Sequence, residues 1–275
     1  MQLEGARSLE GWAAFLSQAT IPVLKQTARR LAVSRQGTEC PSPRDIAEII
    51  APDPMMTVKL LRYLQHNKHR RQEHEVVEIE QALLMMGVET FLREVPPEPT
   101  LDAVLHEHNE ALLSLLRVLN RARRASAYAF DWALRRRDMH FEEVRIAALL
   151  HELAEMLMWC FASTEMLRIH ALQQRDKTLR SRDAQAQVLG FALDDLQSAL
   201  AREWSLPKLL LNLMDSKCAG DPRVRNVVLA VNLARHSANG WDDAALPDDY
   251  ARTGEFLGMR AREVMLVVGA KAGRA

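Results

Sequence analysis

The apolar stretch from Ile146 to Phe161, IAALLHELAEMLMWCF, constrains the fold more than any other part of this 275-residue chain. Its apolar residues recur at intervals of three and four, which predicts one core helix with a broad buried face. His151 lies at the edge of that face, and Glu152 follows it directly. A histidine and an acid on so apolar a helix predict either part of a metal site or a buried polar pair with a structural role.

The rest of the chain favours helices as well. Aromatic residues make up 5% of the sequence, and leucine, alanine, arginine and glutamate dominate it. These residue types favour helices over strands, and no segment alternates convincingly with period two. We therefore expect an all-α protein of about a dozen or more helices.

Prolines and glycines divide these helices. Asp53 and Asp221 are each followed by proline, an arrangement typical of a helix start because the aspartate can cap the first turn. Ile21-Pro22 predicts another helix start, since proline is well placed in a first helical turn. The run PPEPT at 96–100 predicts a hinge between an amino-terminal lobe and the remainder.

Charge and cysteine content limit the classes of partner and compartment. Lys+Arg and Asp+Glu are equal at 36 each, so net charge gives no reason to expect nucleic acid or an acidic membrane. Arginines do cluster between Arg121 and Arg137, where a solvated helix face is a simpler interpretation than a nucleic-acid interface. The three cysteines, Cys40, Cys160 and Cys218, are far apart, which favours a reduced compartment. With no long apolar run and an acidic amino terminus, we expect a cytoplasmic protein with no membrane partner.

Histidines outside the apolar stretch are weaker candidates for metal binding. His66, His69 and His74 lie in a polar segment without the apolar support that orients ligands, so an exposed connection is expected there. His106 and His108 are two residues apart and would point in different directions from a helix.

Five segments together resemble the HDOD domain, the HD-related output domain of bacterial signalling proteins. The segments IPVLKQTARRL, DIAEIIAPDPMMTVKLLRYL and QALLMMGVETFLRE resemble its opening. EEVRIAALLHELAEMLMW resembles its HD helix, and VLGFALDDLQSALAREWSLPKLL resembles a later motif. The resemblance implies an HD-superfamily-like helical bundle in two lobes, 21–95 and 101–214, within a domain at 21–214. It leaves 1–20 as a lead-in helix and 215–275 as helices that complete or pack on the second lobe.

The resemblance also implies which residues descend from a metal site. In HD phosphohydrolases, a first histidine, a His-Asp pair and a later acid or histidine bind a divalent metal that activates water. Here His151 matches the histidine of the pair, but Glu152 stands in place of aspartate and Leu193 in place of the later histidine. The first histidine is also missing, because none lies between His108 and His140. We therefore expect a degenerate site, in which His151 and Glu152 are a remnant pair, with no catalytic residue, metal or cofactor.

Three functional hypotheses follow. The leading one is a non-catalytic bacterial signal-transduction module that regulates by binding a protein partner, or alternatively a nucleotide. The second is a metal-dependent phosphohydrolase or phosphodiesterase with an altered site of His151, Glu152, Asp194 and Asp195. The third is a nucleic-acid binder that uses the face from Arg121 to Arg137, whose affinity would fall steeply with salt.

Overall fold

The computed structural model describes residues 8–37, 41–67, 76–215 and 220–270, which form seventeen helices and no β-strand. The all-α prediction is therefore confirmed. The first nine helices are α1 (Leu9–Gln18), α2 (Lys25–Gln36), α3 (Pro43–Ile50), α4 (Pro54–His66), α5 (Ile79–Met86), α6 (Val88–Glu94), α7 (Leu101–Val104), α8 (Asn109–Arg135) and α9 (Phe141–Leu150). They are followed by α10 (Leu153–Phe161), α11 (Ser163–Arg175), α12 (Ser181–Leu189), α13 (Leu193–Glu203), α14 (Lys208–Met214), α15 (Pro222–His236), α16 (Leu246–Leu257) and α17 (Ala261–Val267).

Both aspartate-proline starts are confirmed. Asp53 is the N-cap of α4, and its Oδ1 accepts hydrogen bonds from the backbone N–H groups of Met55 at 3.0 Å and Met56 at 3.2 Å. Asp221 caps α15 by accepting one hydrogen bond from the N–H of Arg223 at 2.8 Å. Each carboxylate satisfies N–H groups that have no partner within the helix, which is why the helices begin there.

The predicted start at Ile21-Pro22 is wrong, because α2 begins three residues after Pro22, at Lys25. The segment before it is extended, and Val23 forms an isolated parallel bridge with Thr100. The N–H of Val23 donates to the carbonyl of Pro99, and the N–H of Leu101 donates to the carbonyl of Val23, both at 2.9 Å. These bonds occupy backbone groups that a helical turn would otherwise use, so the segment stays extended.

The prediction of one helix from Ile146 to Phe161 is also wrong. Helix α9 ends at Leu150, helix α10 begins at Leu153, and His151 and Glu152 form the turn between them. In a continuous helix the N–H of Ala154 would donate to the carbonyl of Leu150. It donates instead to the side-chain Oε1 of Gln197 at 2.7 Å. A side chain from α13 thus replaces one helical hydrogen bond at the break.

The chain divides into two compact units. The first contains residues 1–118 and 152–207, and the second contains 119–151 and 208–275. Helix α8 contributes its residues up to Val118 to the first unit and the remainder to the second. The cut points differ from the lobe boundaries expected from the sequence, and those boundaries stay a prediction.

The first unit is held together by packing between helices, both distant and neighbouring in sequence. Helix α1 packs on α13, which also contacts α10, while α5 packs on both α3 and α4. The rings of Phe15 in α1 and Phe161 in α10 meet edge to face with centroids 5.7 Å apart. Large apolar side chains of α4, including Met55, Met56 and Leu60, are fully buried. The amino-terminal helix is therefore part of this unit's core.

In the second unit, α9 packs against α14 and α15, and α16 packs against α15 and α17. The guanidinium of Arg136 lies 4.3 Å from the ring centroid of Phe256 and donates to its carbonyl. The turn after α16 passes close to Gly254, where a Cβ atom would lie 2.6 Å from the carbonyl oxygen of Met259. Only glycine leaves room for that backbone contact.

Within the described residues, no helix on its own has the length and hydropathy to cross a membrane. A bent pair, Phe141–Phe161 with Ser163–Arg175, meets the criteria jointly. Much of that pair is core, since Ile146, Leu150 and Leu157 are each at most 1% exposed.

Candidate functional site

The remnant pair lies in the turn between α9 and α10. Glu152 is 7% exposed and precedes α10, where its carbonyl accepts the N–H of Met156 at 3.1 Å. His151 ends α9 and is half-buried. The division between the two units falls between these residues, so His151 belongs to the second unit and Glu152 to the first. The two residues that match the His-Asp pair thus lie at a break in the helix.

Gln197 is a residue of this turn that sequence reasoning missed. Its side chain accepts the N–H of Ala154 and so joins α13 to the start of α10. Its spacing in the sequence could have indicated this role. Gln197 lies four residues after Leu193 and three before Leu200, on the same helical face as these buried leucines. A polar residue on a buried helical face usually has a hydrogen-bond partner.

The two acids proposed as further ligands are both exposed. Asp194 and Asp195 lie in the first turn of α13, where negative charge is favoured by the helix dipole. Asp195 Oδ2 lies 3.4 Å from Arg182 Nη2, a contact between two largely exposed side chains. Across the described part of the chain, no three histidine, cysteine, aspartate or glutamate side chains are close enough to hold a metal ion. His69, His74, Cys40 and Cys218 lie outside the described residues.

Several arginines of the Arg121–Arg137 face take part in packing within the second unit. Arg124 donates to the carbonyl and hydroxyl oxygens of Ser237 at 3.1 and 3.0 Å, and lies 5.4 Å from the ring centroid of Trp241. Arg135 pairs with Asp131 at 2.7 Å. These contacts give at least part of the face a structural role, and nucleic-acid binding stays a hypothesis.

The first unit contains a separate polar cleft along α4. Its lining includes Lys59, Arg62, Tyr63 and His66. Spacings of three, four and seven residues place these side chains on one face of the helix. The cleft has a volume of about 280 Å³. The sequence did not predict this cleft, because the apolar spacing of α4 identifies only its buried residues, whereas the cleft depends on distant segments.

Lys59 is the most buried cation of this cleft. It is 7% exposed, and its ammonium donates to the carbonyls of Pro96 and Glu98, both at 2.6 Å. Burial lowers the pKa of Lys59 to about 8, and the positive charge of Arg62 contributes in the same direction. The energetic cost of the ammonium charge is thus only partly offset by the two carbonyls.

Arg62 is held between two groups of the first unit. Its Nη1 donates to the carbonyl of Ala19 at 3.1 Å, and its guanidinium carbon lies 5.6 Å from the ring centroid of Trp204. Burial lowers the pKa of Arg62 as well. A guanidinium fixed in this way is orientated before any ligand arrives.

The comparisons with known proteins identify a family and a fold. The family model of the HDOD domain matches residues 21–218, and no curated protein matches the chain. The MmoQ response regulator from Methylococcus capsulatus superposes with a TM-score of 0.67 at 15% identity, covering 92% of this chain and 99% of the other. A virulence factor from Campylobacter jejuni gives 0.67 at 17% identity, covering 94% and 95%. An HDOD domain protein of unknown function from Geobacter sulfurreducens gives 0.50 at 16% identity, covering 98% and 95%.

Proposed function

This chain belongs to the HDOD family, and from that premise we propose that it is a non-catalytic regulatory module of bacterial signal transduction, which acts in the cytoplasm by binding another protein. The name of one structural neighbour, the MmoQ response regulator, supports a regulatory role. At 15% identity that likeness extends to the fold, so the role itself is part of the proposal.

The proposal that the module is non-catalytic rests on the positions of three acidic residues. Glu152 is buried at the start of α10, whereas Asp194 and Asp195 are exposed at the start of α13. A divalent metal that activates water needs several oxygen or nitrogen ligands that converge on one point. Asp195 Oδ2 instead lies 3.4 Å from Arg182 Nη2, in a contact between exposed side chains.

Metal content and phosphodiesterase activity test this part. Protein purified without chelator is analysed for iron, manganese and zinc, and is assayed with a chromogenic phosphodiester. We expect less than stoichiometric metal and no hydrolysis above the blank for the wild type, His151→Ala and Glu152→Gln. His106→Ala, at a side chain 68% exposed, is the matched histidine control. Stoichiometric metal, with hydrolysis that His151→Ala abolishes and His106→Ala preserves, would establish the phosphohydrolase alternative.

Charged substitutions of exposed leucines test the protein-binding part. Leu84 in the first unit is 63% exposed, and Leu266 in the second is 71% exposed. Proteins captured from the native host by the wild type, Leu84→Glu and Leu266→Glu are compared, and a candidate partner is then titrated in purified form. A partner that uses one unit should bind one variant normally and the other at least about tenfold more weakly, since losing a buried apolar anchor costs 1.4 kcal/mol or more. Stoichiometric binding of a nucleotide, with no protein partner, would support the nucleotide alternative instead.

A further inference from the structure

The polar cleft of the first unit concentrates positive charge that packing alone does not require. Lys59, Arg62 and His66 are the basic residues of α4, and all three line the cleft. Away from this stripe, Val58, Leu60 and Leu61 of the same helix are buried. The basic residues therefore form one stripe that faces a concave surface.

The positive charges of Lys59 and Arg62 disfavour each other. Lys59 and Arg62 are three residues apart on one helical face, and the charge of Arg62 makes the charged form of Lys59 less favourable. Both are also partly desolvated. The carbonyls of Pro96, Glu98 and Ala19 carry only partial charges. The carboxylates of Glu98 and Asp53, which do not line the cleft, favour the charged form of Lys59, yet its pKa is still lowered.

Among the bonds within the described residues, Lys59 and Arg62 each keep N–H donors beyond those that reach carbonyl oxygens. Lys59 uses two of its three ammonium hydrogens on carbonyls, and Arg62 uses one of its five N–H groups on Ala19. The Nδ1 of His66 lies 3.0 Å from the carbonyl oxygen of Arg62 and therefore acts as a donor. In the neutral ring Nε2 is then an acceptor, so the donors for an anionic ligand come from Lys59 and Arg62.

One acid, Glu94, also lines the cleft. Its carboxylate oxygen lies 2.7 Å from the Nε of Arg93, so it already has a cationic partner outside the stripe. The positive charges of Lys59 and Arg62 are therefore left without a carboxylate of their own among the lining residues.

We propose that this cleft binds a small phosphorylated ligand through its phosphoryl group, with Arg62 and Lys59 as the principal contacts. A dianion matches the two cations in charge, and the planar donors of arginine match the oxygens of a phosphoryl group in geometry. A volume of about 280 Å³ is small for a ligand site and suits a phosphate group with a few further atoms. This proposal does not depend on the proposed protein binding.

Titration calorimetry with inorganic phosphate and sulfate tests the site on the full chain. Arg62→Gln should weaken binding about tenfold or more, because a hydrogen bond to a charged group contributes about 1.5 kcal/mol or more. Glu94→Gln should strengthen it, because the substitution removes a negative charge from the lining. Arg44→Gln is the matched control, since Arg44 lies in the same unit outside the cleft and its side chain is 77% exposed. Circular dichroism of each variant checks that the fold is retained.

The pH dependence adds an independent readout, and sulfate is the right probe because it stays a dianion. The groups that act on Lys59 are the charges of Arg62, Glu98 and Asp53, and burial lowers its pKa to about 8. Sulfate affinity should therefore fall as pH rises from about 7 to above 8, where the amine loses its proton. The fall should be smaller in Lys59→Met than in the wild type.

Two ligand sources are separated by comparing inorganic phosphate with adenosine monophosphate. Tighter binding of the nucleotide that is still weakened by Arg62→Gln assigns the site to a phosphorylated metabolite, whereas equal binding of both assigns it to free phosphate. Absence of binding by phosphate, sulfate and the nucleotide at tens of millimolar would overturn the proposal. Equal weakening by Arg62→Gln and Arg44→Gln, or weaker binding by Glu94→Gln, would overturn it as well.

Discussion

Replacing Asp53 by alanine should destabilise this protein far more than the loss of an ordinary helix cap. Asp53 is fully buried, and its carboxylate accepts three backbone hydrogen bonds. Two come from Met55 and Met56 at the start of α4, and the third comes from Leu24 at 3.0 Å, 29 residues earlier in the chain. Burial raises the pKa of Asp53, and these N–H donors oppose that rise. One side chain thus caps a helix and anchors the extended segment before α2.

The expected cost follows from the three donors. Each buried N–H left without a partner costs about 1–3 kcal/mol, so Asp53→Ala should lower the free energy of unfolding by about 4–5 kcal/mol. Asp53→Asn keeps an oxygen for the two cap bonds but presents an amide NH₂ to Leu24, so its cost should be about 1–2 kcal/mol. Asp221→Ala is the matched control, because exposed Asp221 accepts one bond and its loss should cost about 1 kcal/mol.

Equilibrium unfolding in urea, followed by circular dichroism at 222 nm, measures these differences. Asp53→Ala should be the most destabilising of the three variants. Asp53→Asn should cost at least as much as Asp221→Ala. If the two units unfold in separate transitions, Asp53 variants should shift the transition of the first unit and Asp221→Ala that of the second. An Asp53→Ala protein no less stable than Asp221→Ala would refute the reasoning.

Three further substitutions test individual features by thermal or urea unfolding. Arg137 has φ +58°, a backbone region that favours glycine, so Arg137→Gly should stabilise the protein by about 0.5–1 kcal/mol, and destabilisation would contradict this interpretation. Gly254→Ala places a Cβ 2.6 Å from a backbone carbonyl and should cost about 2 kcal/mol or more, whereas Gly220→Ala, with no atom within 4 Å of the added Cβ, should be nearly neutral. Gln197→Ala leaves the N–H of Ala154 without its partner and should lower the free energy of unfolding by about 1–3 kcal/mol. A near-neutral effect would contradict this prediction.

Local signals in the sequence were sufficient for the fold class and for many helix starts. The caps at Asp53 and Asp221 lie within three residues of the N–H groups they satisfy, so no tertiary information is needed to recognise them. The resemblance to the HDOD family was likewise legible in short segments. Those segments identified the predicted remnant pair, His151 and Glu152. They did not predict the helix break at this pair or the contact of Gln197 beside it.

What the sequence determined by itself was the helical class, the family and the places where aspartate and proline begin a helix. The tertiary structure alone decided where helices are interrupted and which polar groups meet. Val23 stays extended because its backbone bonds to residues more than seventy positions away, and the helix around His151 breaks where the side chain of Gln197, 43 residues from Ala154, takes a backbone N–H. Such bonds compete with the local helix, and their partners are brought near only when the chain is folded. The cleft of Lys59 and Arg62 has the same origin, because the carbonyls and the indole that position these cations come from distant segments.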